Sequence, residues 1–323
     1  MERYRGRAAL VTGASVGIGA AITQALLRRG VNVVGLARRV DRVQALELKD
    51  APGKLYPLQG DVSREDSILA AFKWIKDNLS GVDILVNNAA ILIDEELTSA
   101  STDSWRRMLD VNVLGLSICT REAIQDMIRR GVDDGFVIHI NGIWGHSPAA
   151  GGELAMYAST KHAVRVLLEG LRKDLVARKS NIRAGEISPG LVKTDILSNT
   201  NKWTPELFDK VNCMEPEDVA EAAIYMLSQH PRVQMVATPL TEHAELPCRS
   251  TQLQRADSFR VEISPGLVKT DILSNTNKWT PELFDKMNYM EPEDVAEAAI
   301  YMLSQHPRVQ VHDIIILPTG NPM

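Results

Sequence analysis

The sequence has little of what would mark several other kinds of protein. Aromatic side chains make up 5% of its 323 residues, and cysteine occurs three times, at Cys119, Cys213 and Cys248. An odd count at no metal or redox spacing fits a reducing, cytoplasmic compartment rather than a disulfide framework. No dense Lys/Arg run exists, and 36 basic residues face 41 acidic ones for a net charge of −5, so a nucleic-acid partner is not expected. Apolar stretches such as Ile314–Leu317 fall far short of the roughly 20 residues a membrane span needs. Met1–Arg7 leads straight into a strand-like run, so no signal peptide is expected. The seven histidines form no ligand spacing and give no support to a metal site. What is present is an ordinary globular composition, 45% apolar and 24% charged, with chain enough to bury a real core.

An internal repeat changes what the length means. Glu186–Gln234 and Glu262–Gln310 are nearly the same 49 residues offset by 76, differing at Val211 against Met287 and Cys213 against Tyr289. Copies that have drifted so little point to a recent tandem duplication or an erroneous joining of coding segments, not to a solenoid. Removing one period leaves 247 residues, a common size for one α/β domain. Residues 1–234 plus 311–323 are therefore expected to form one domain. Residues 235–261 read as a poorly ordered linker, having two prolines and no sustained period, and 262–310 as the surplus copy. The first copy is expected to dock in the fold.

Apolar runs alternate with helical patterns along the chain. Strands are expected at Ala8–Val11, Val31–Leu36, Leu55–Leu58, Ile84–Val86, Phe136–Ile140 and, last, Ile314–Leu317. A helix after the first strand puts Ile18, Ala21, Ile22, Ala25 and Leu26 on one face, and Met156–Val176 reads as a long helix burying Val164, Leu167, Leu168, Leu171 and Leu175. Strands that are apolar throughout and separated by helices imply a doubly wound α/β fold of the Rossmann kind, with one parallel sheet covered on both faces.

The first strand runs into Thr12-Gly13-Ala14-Ser15-Val16-Gly17-Ile18-Gly19, which opens a helix. Glycines there let the backbone approach a pyrophosphate, and the helix N-terminus offers free N–H groups and a positive dipole. Gly13, Ser15, Gly17, Ile18 and Gly19 are the candidate contacts to a dinucleotide. At the end of the second strand an NAD site would place Asp or Glu, but the sequence has Ala37-Arg38-Arg39. Two guanidinium groups suit a 2′-phosphate, which favours NADP(H) over NAD. A solvated basic loop is the plain alternative, and Asp41 lies close by.

Tyr157-Ala158-Ser159-Thr160-Lys161 places a phenol and an ammonium at i and i+4 on one helical face. A cation beside a phenol is expected to bring its pKa down toward the working range of an acid–base group. Alone, such a pair is more often a surface pair. Here it follows the glycine loop, Asp61-Val62, Asn87-Asn88-Ala89-Ala90 and Asn112, and precedes Ser188-Pro189-Gly190. That order resembles the short-chain dehydrogenase/reductase family, over about residues 5–234 and 311–320. Ala37-Arg38-Arg39, Gly145-His146 and Ile187-Ser188-Pro189-Gly190 look most like its branch of dehydrogenase/reductase member 11 and the insect farnesol dehydrogenases.

The resemblance implies hydride transfer between a nicotinamide cofactor and an alcohol or carbonyl compound. Tyr157 would be the general acid/base, and Lys161 would lower its pKa and hold the nicotinamide ribose. Asn112 would hold a helix bend and a proton-relaying water. Asp61 and Val62 would flank the adenine, Asn87 and Ala89 would line the cleft, and Pro189, Gly190, Val192 and Thr194 would reach the nicotinamide end. Helices around Val113–Ile128 and Ala163–Leu175 would join two or four copies of the chain, although their apolar stripes suit an intramolecular core equally. After Pro189-Gly190 the family has a mobile lid; Leu191, Val192, Ile196, Leu197, Trp203, Leu207 and Phe208 make it apolar here. Such a lid suits an isoprenoid, retinoid or steroid-like substrate, or it merely packs on itself.

One position departs from the pattern. The family's catalytic serine falls on Gly142, and no serine lies between Arg129 and His146. Ser147 is the nearest hydroxyl and Asn141 offers an amide. A catalytically impaired, cofactor-binding pseudoenzyme is therefore the alternative reading. Ala90, where the family usually has glycine, is a smaller departure.

Overall fold

The computed structural model describes residues 1–149, 151–200, 213–242, 262–269, 288–306, 308–311 and 313–319. Strand β1 (Ala8–Thr12) is buried along its whole length, as a central parallel strand must be. It lies between β2 (Asn32–Ala37) and β4 (Ile84–Asn87), with β3 (Leu55–Gln59) outside β2. On the other side follow β5 (Phe136–Ile140), β6 (Arg183–Pro189) and β7 (Val233–Glu242), all parallel. The order β3-β2-β1-β4-β5-β6-β7 is that of the expected doubly wound sheet. Because the chain winds one way from β1 to β3 and the other from β4 to β7, a crevice opens at the carboxyl ends of β1 and β4.

Helix α1 (Gly17–Arg28) and α7 (Pro216–Ser228) cover one face, where Ala21, Ile22, Ala25 and Leu26 join the core with Val219, Ala223 and Leu227. Between them in the chain come α2 (Val40–Gln44), α3 (Glu65–Leu79), α4 (Thr102–Leu109), α5 (Leu116–Arg129) and α6 (Ala155–Ala177). Ile68 and Ile75 of α3, Ala123 and Met127 of α5 and Leu168 and Leu175 of α6 fill the opposite face. On α6 the expected apolar stripe is narrower than the sequence suggests. Val164, Leu168 and Leu175 are buried, Leu171 is half-buried, and Leu167 is exposed beside Val166. A 100° step per residue carries position 167 past the edge of a face centred on 164, 168 and 175.

The first repeat copy supplies β6, next to β5, and α7. The second supplies β8 (Glu262–Pro265), α8 (Pro292–Leu303) and β9 (Val309–Val311), and β10 (Asp313–Pro318) follows it. Two expectations change here. Met235–Glu242, read as linker, is most of β7; residues 243–261 lie outside the described residues. The terminal strand, expected to belong to the parallel sheet, instead pairs antiparallel outside β7, with β8 beyond it. The chain leaving α7 meets the open edge of β6 at once, and the short connection lets Val233–Glu242 fill that slot before residue 313 is reached.

Candidate active site

The crevice is a cleft of about 1480 Å³, and the glycine loop forms one end of it. Gly13 has φ +67°, and a Cβ there would lie 2.9 Å from Ala89 Cα; a Cβ on Gly19 would meet Gly13 O and Asn88 Nδ2 at 2.4 Å. The loop closes because neither position carries a side chain. Helix α1 starts at Gly17 behind Val16, which makes no side-chain cap, so its first N–H groups carry their partial positive charge toward the cleft. Thr12 and Asn88 pin this loop to the end of β4: Asn88 N and Ala89 N donate to Thr12 Oγ1 at 3.0 and 3.1 Å, and Asn88 Nδ2 donates to Thr12 O at 2.9 Å. The loop, an uncapped helix end and the glycine clearances together fit a dinucleotide's pyrophosphate.

Ser15, Gly17 and Ile18 line the cleft with Gly13, as do Arg38, Arg39, Asp61, Val62, Ala89, Tyr157, Lys161, Pro189, Gly190, Val192 and Thr194. Arg38 and Arg39 follow β2 directly, are exposed, and neither guanidinium pairs with a carboxylate among the described residues. Asp61 accepts from Ser63 N and Ser63 Oγ at 2.9 and 2.8 Å, which fixes its carboxylate at the cleft wall. Three expected residues stand behind the wall instead. Gly19 is enclosed by the loop, and Asn87 donates to Thr120 Oγ1 at 2.9 Å in the core. Asn112 lies in a π-helical turn, Asp110–Gly115, between α4 and α5, so the expected bend is there. Its side chain accepts from Ile91 N and donates to Ile91 O, both at 2.9 Å, and donates to Thr160 Oγ1 at 3.1 Å. This amide ties the segment after β4 to the turn of α6 that carries Tyr157 and Lys161.

Tyr157 and Lys161 are both buried, at 8% and 3% exposure. Lys161 Nζ donates to Ile140 O at 3.1 Å and lies 5.7 Å from the centre of the Tyr157 ring. Burial pulls its ammonium down to about 8, against the opposing influence of Glu186. For Tyr157 the sign differs from the expectation: burial raises its phenol above the ordinary value. Taking a phenolate out of water costs more here than the neighbouring cation returns, so the phenol stays protonated at neutral pH. His139, the nearest imidazole on β5, is pushed down to about 3 by burial and then by Lys161, and stays neutral.

Glu186 is a residue the sequence reading passed over. It sits on β6 at 1% exposure, accepts from Asn141 Nδ2 at 3.1 Å, and has His146 Nε2 3.2 Å from Oε1. An acidic residue within an otherwise buried strand is the signal that marks it. Beyond Tyr157 the cleft turns apolar: Leu92, Trp144, Leu191, Ile196 and Leu197 gather there, and Trp144 meets the Tyr157 ring edge-on at 6.0 Å. Trp203, Leu207 and Phe208 of the expected lid lie outside the described residues.

The family model for short chain dehydrogenases matches residues 7–205, which takes in the loop, Tyr157 and Lys161. The chain belongs to the short-chain dehydrogenase family. It is 47% identical over 243 residues to dehydrogenase/reductase SDR family member 11 of Gallus gallus, covering 73% of this chain and 95% of that one. It is 42% identical over 241 residues to farnesol dehydrogenase of Aedes aegypti, with 73% and 95% covered. Both fall in the branch the sequence motifs suggest. Among solved structures it is similar to the closed form of a serine dehydrogenase complexed with NADP+, at TM-score 0.61 and 26% identity, covering 79% of this chain and 99% of that one. No helix among the described residues is long and apolar enough to cross a membrane, and they hold no cluster fit for a metal ion.

Proposed function

We propose that this dehydrogenase uses NADP(H) to interconvert an apolar alcohol and its carbonyl compound. The observation that carries this reading is one cleft with the glycine loop and free Arg38 and Arg39 at one end, Tyr157 and Lys161 at its centre, and an apolar wall beyond. The cofactor, when bound, supplies or accepts the hydride. The loop and the uncapped start of α1 bind its pyrophosphate, Arg38 and Arg39 meet its 2′-phosphate, and Lys161 holds the ribose. Tyr157, protonated at rest, donates its proton to the carbonyl oxygen in reduction and takes it back in oxidation. Asn112 positions α6 from behind. Leu92, Trp144, Leu191, Ile196 and Leu197 exclude water and favour an isoprenoid, retinoid or steroid-like substrate. Cytoplasmic work suits a chain with three cysteines, an odd count at no disulfide or redox spacing. Exposed Leu114 and Val166, on the helices implied as interfaces, support association into a homodimer or homotetramer.

Gly142 favours a second reading, a cofactor-binding pseudoenzyme. NADPH consumption with a panel of ketones, aldehydes and dicarbonyls separates the two. Turnover supports the enzyme; NADPH binding without turnover on any member supports the pseudoenzyme. Cofactor choice has its own test. Arg38→Ala with Arg39→Ala is expected to raise the Kd for NADPH by about 10–100-fold, the loss of charge-assisted bonds worth ~1.5–3 kcal/mol, and to leave that for NADH nearly unchanged. Equal losses for both cofactors would refute the 2′-phosphate assignment.

The lowered pKa of Lys161 gives a pH dependence. Its charge, fully present below about pH 8, is lost as pH rises through that value, so reduction should decline on the alkaline side of 8. Glu186 raises the Lys161 pKa, so Glu186→Gln should move the alkaline limb of kcat downward by roughly 1 pH unit. A limb left in place in that variant would show that the carboxylate does not act on Lys161.

A further inference from the structure

The two copies of the repeat meet each other. Tyr225 on α7 stacks on Tyr301 on α8, its own counterpart one period later, with ring centres 3.7 Å apart and planes 3° from parallel. Arg232 donates to both carboxylate oxygens of Asp294 at 2.7 and 2.9 Å. Arg308, the counterpart of Arg232, does the same to Asp218, the counterpart of Asp294, at 2.7 and 2.8 Å. Residue i of the first copy touches residue j of the second, while i of the second touches j of the first. That reciprocity is the signature of an isologous two-fold interface.

The strands obey the same exchange. On β7, Val233 faces Pro318 and Glu242 faces Val309; Gln234 faces Leu317 and Thr241 faces Gln310. Each pair turns into another when the copies are swapped by the 76-residue offset. The rule reaches past the repeat: Met235 facing Ile316 exchanges with Val311 facing Leu240, although the residues themselves differ. Inside the second copy the geometry of the first recurs: β8 lies parallel on β10 with Glu262 beside Asp313, as Glu186 lies beside Ala237, and the bridge Val268–Met290 repeats Val192–Met214.

We propose that, in this chain, the second repeat fills the place of a partner subunit on the α7–β7 face. A chain of one period, without residues 235–310, presents α7 and its seventh strand uncovered and pairs through them about a two-fold axis. The 323-residue chain has closed the same contact within itself, so this face no longer joins subunits. Any association it keeps runs through other surfaces. The relatives, matched over 95% of their length by 73% of this chain, show that one period suffices for the fold.

Sedimentation equilibrium of the full chain and of the deletion of residues 235–310 tests this without reference to activity. The deletion chain is expected to assemble to twice the subunit number of the full chain. In the deletion chain, Arg232→Glu and Tyr225→Lys should each weaken that association by at least about ten-fold while the circular dichroism stays native. Equal subunit numbers in the two chains, or association indifferent to both substitutions, overturns the proposal. Should the deletion chain not fold, the full chain decides. There, Arg232→Ala with Arg308→Ala should speed amide hydrogen exchange across α8 by about ten-fold or more, and unchanged exchange overturns the internal docking.

Discussion

Replacing Gly142 by serine should raise kcat/KM for ketone reduction with NADPH by about 10²–10³-fold, the scale of one preorganised donor to a developing oxyanion. The position can take the side chain. Gly142 lines the cleft with Tyr157, its φ of 170° is ordinary extended backbone, and a Cβ there meets only Pro189 O at 3.7 Å. The serine therefore adds a hydroxyl at the site without disturbing its walls. The substitutes proposed from sequence fare unequally. Asn141 donates its amide to Glu186 Oε2 at 3.1 Å, so that group serves the buried carboxylate. Ser147 lines the cleft and donates only weakly, to Ile143 O at 3.5 Å, which leaves its hydroxyl free to turn to a substrate. A rise in rate with Gly142→Ser would mean that no other donor has replaced the serine. No rise, together with a fall in Gly142→Ser/Ser147→Ala relative to Gly142→Ser, would put Ser147 in that role. A parent without turnover beside an active Gly142→Ser would make the natural protein the pseudoenzyme.

Much of the fold was legible because it rests on local chemistry. Gly13, Gly17 and Gly19 between a buried strand and a helix, and a phenol and ammonium one turn apart, are patterns that backbone sterics and helix geometry impose. What stayed hidden depends on depth and on distant partners. Spacing put Lys161 beside Tyr157 but could not say that both lie at a buried site, where desolvation sets the sign of the phenol's shift. Leu167 shares the apolar character of its neighbours on α6 and is nevertheless exposed, since nothing in the stripe marks its edge. Met235–Glu242 has no alternation and contains Pro239, yet it forms β7 because β6 offers parallel pairing on one side and β9 and β10 antiparallel pairing on the other. Thr12 and Asn88 gain their meaning only when the ends of β1 and β4 come together. Glu186 stayed hidden because no strand is expected over Arg183–Pro189 from the sequence, and its tie to Lys161 needed the three-dimensional arrangement.

Tyr157→Phe should lower kcat by about 10²–10⁴-fold, the usual worth of a positioned acid–base group, while NADPH binding and thermal stability stay near those of the parent. Stability should hold because the ring keeps its edge-on contact with Trp144 and the phenol oxygen makes no hydrogen bond among the described residues. Loss of rate with intact binding would place the hydroxyl in the chemical step rather than in the fold. The direction of the reaction sharpens the test. Burial keeps this phenol protonated, so in reduction the proton is in place before hydride arrives, whereas oxidation must first force the proton onto another group. Reduction should therefore run evenly from about pH 6 until Lys161 loses its charge near 8, and oxidation should improve as pH rises toward 8 and fall off above it, where the ammonium that favours the phenolate is lost. Lys161→Met separates the two buried groups. Without the ammonium, phenolate formation becomes costlier still, so oxidation should suffer more than reduction. Equal losses in both directions would mean that Lys161 acts on the cofactor alone, and that Tyr157 sets its own protonation through its apolar surroundings.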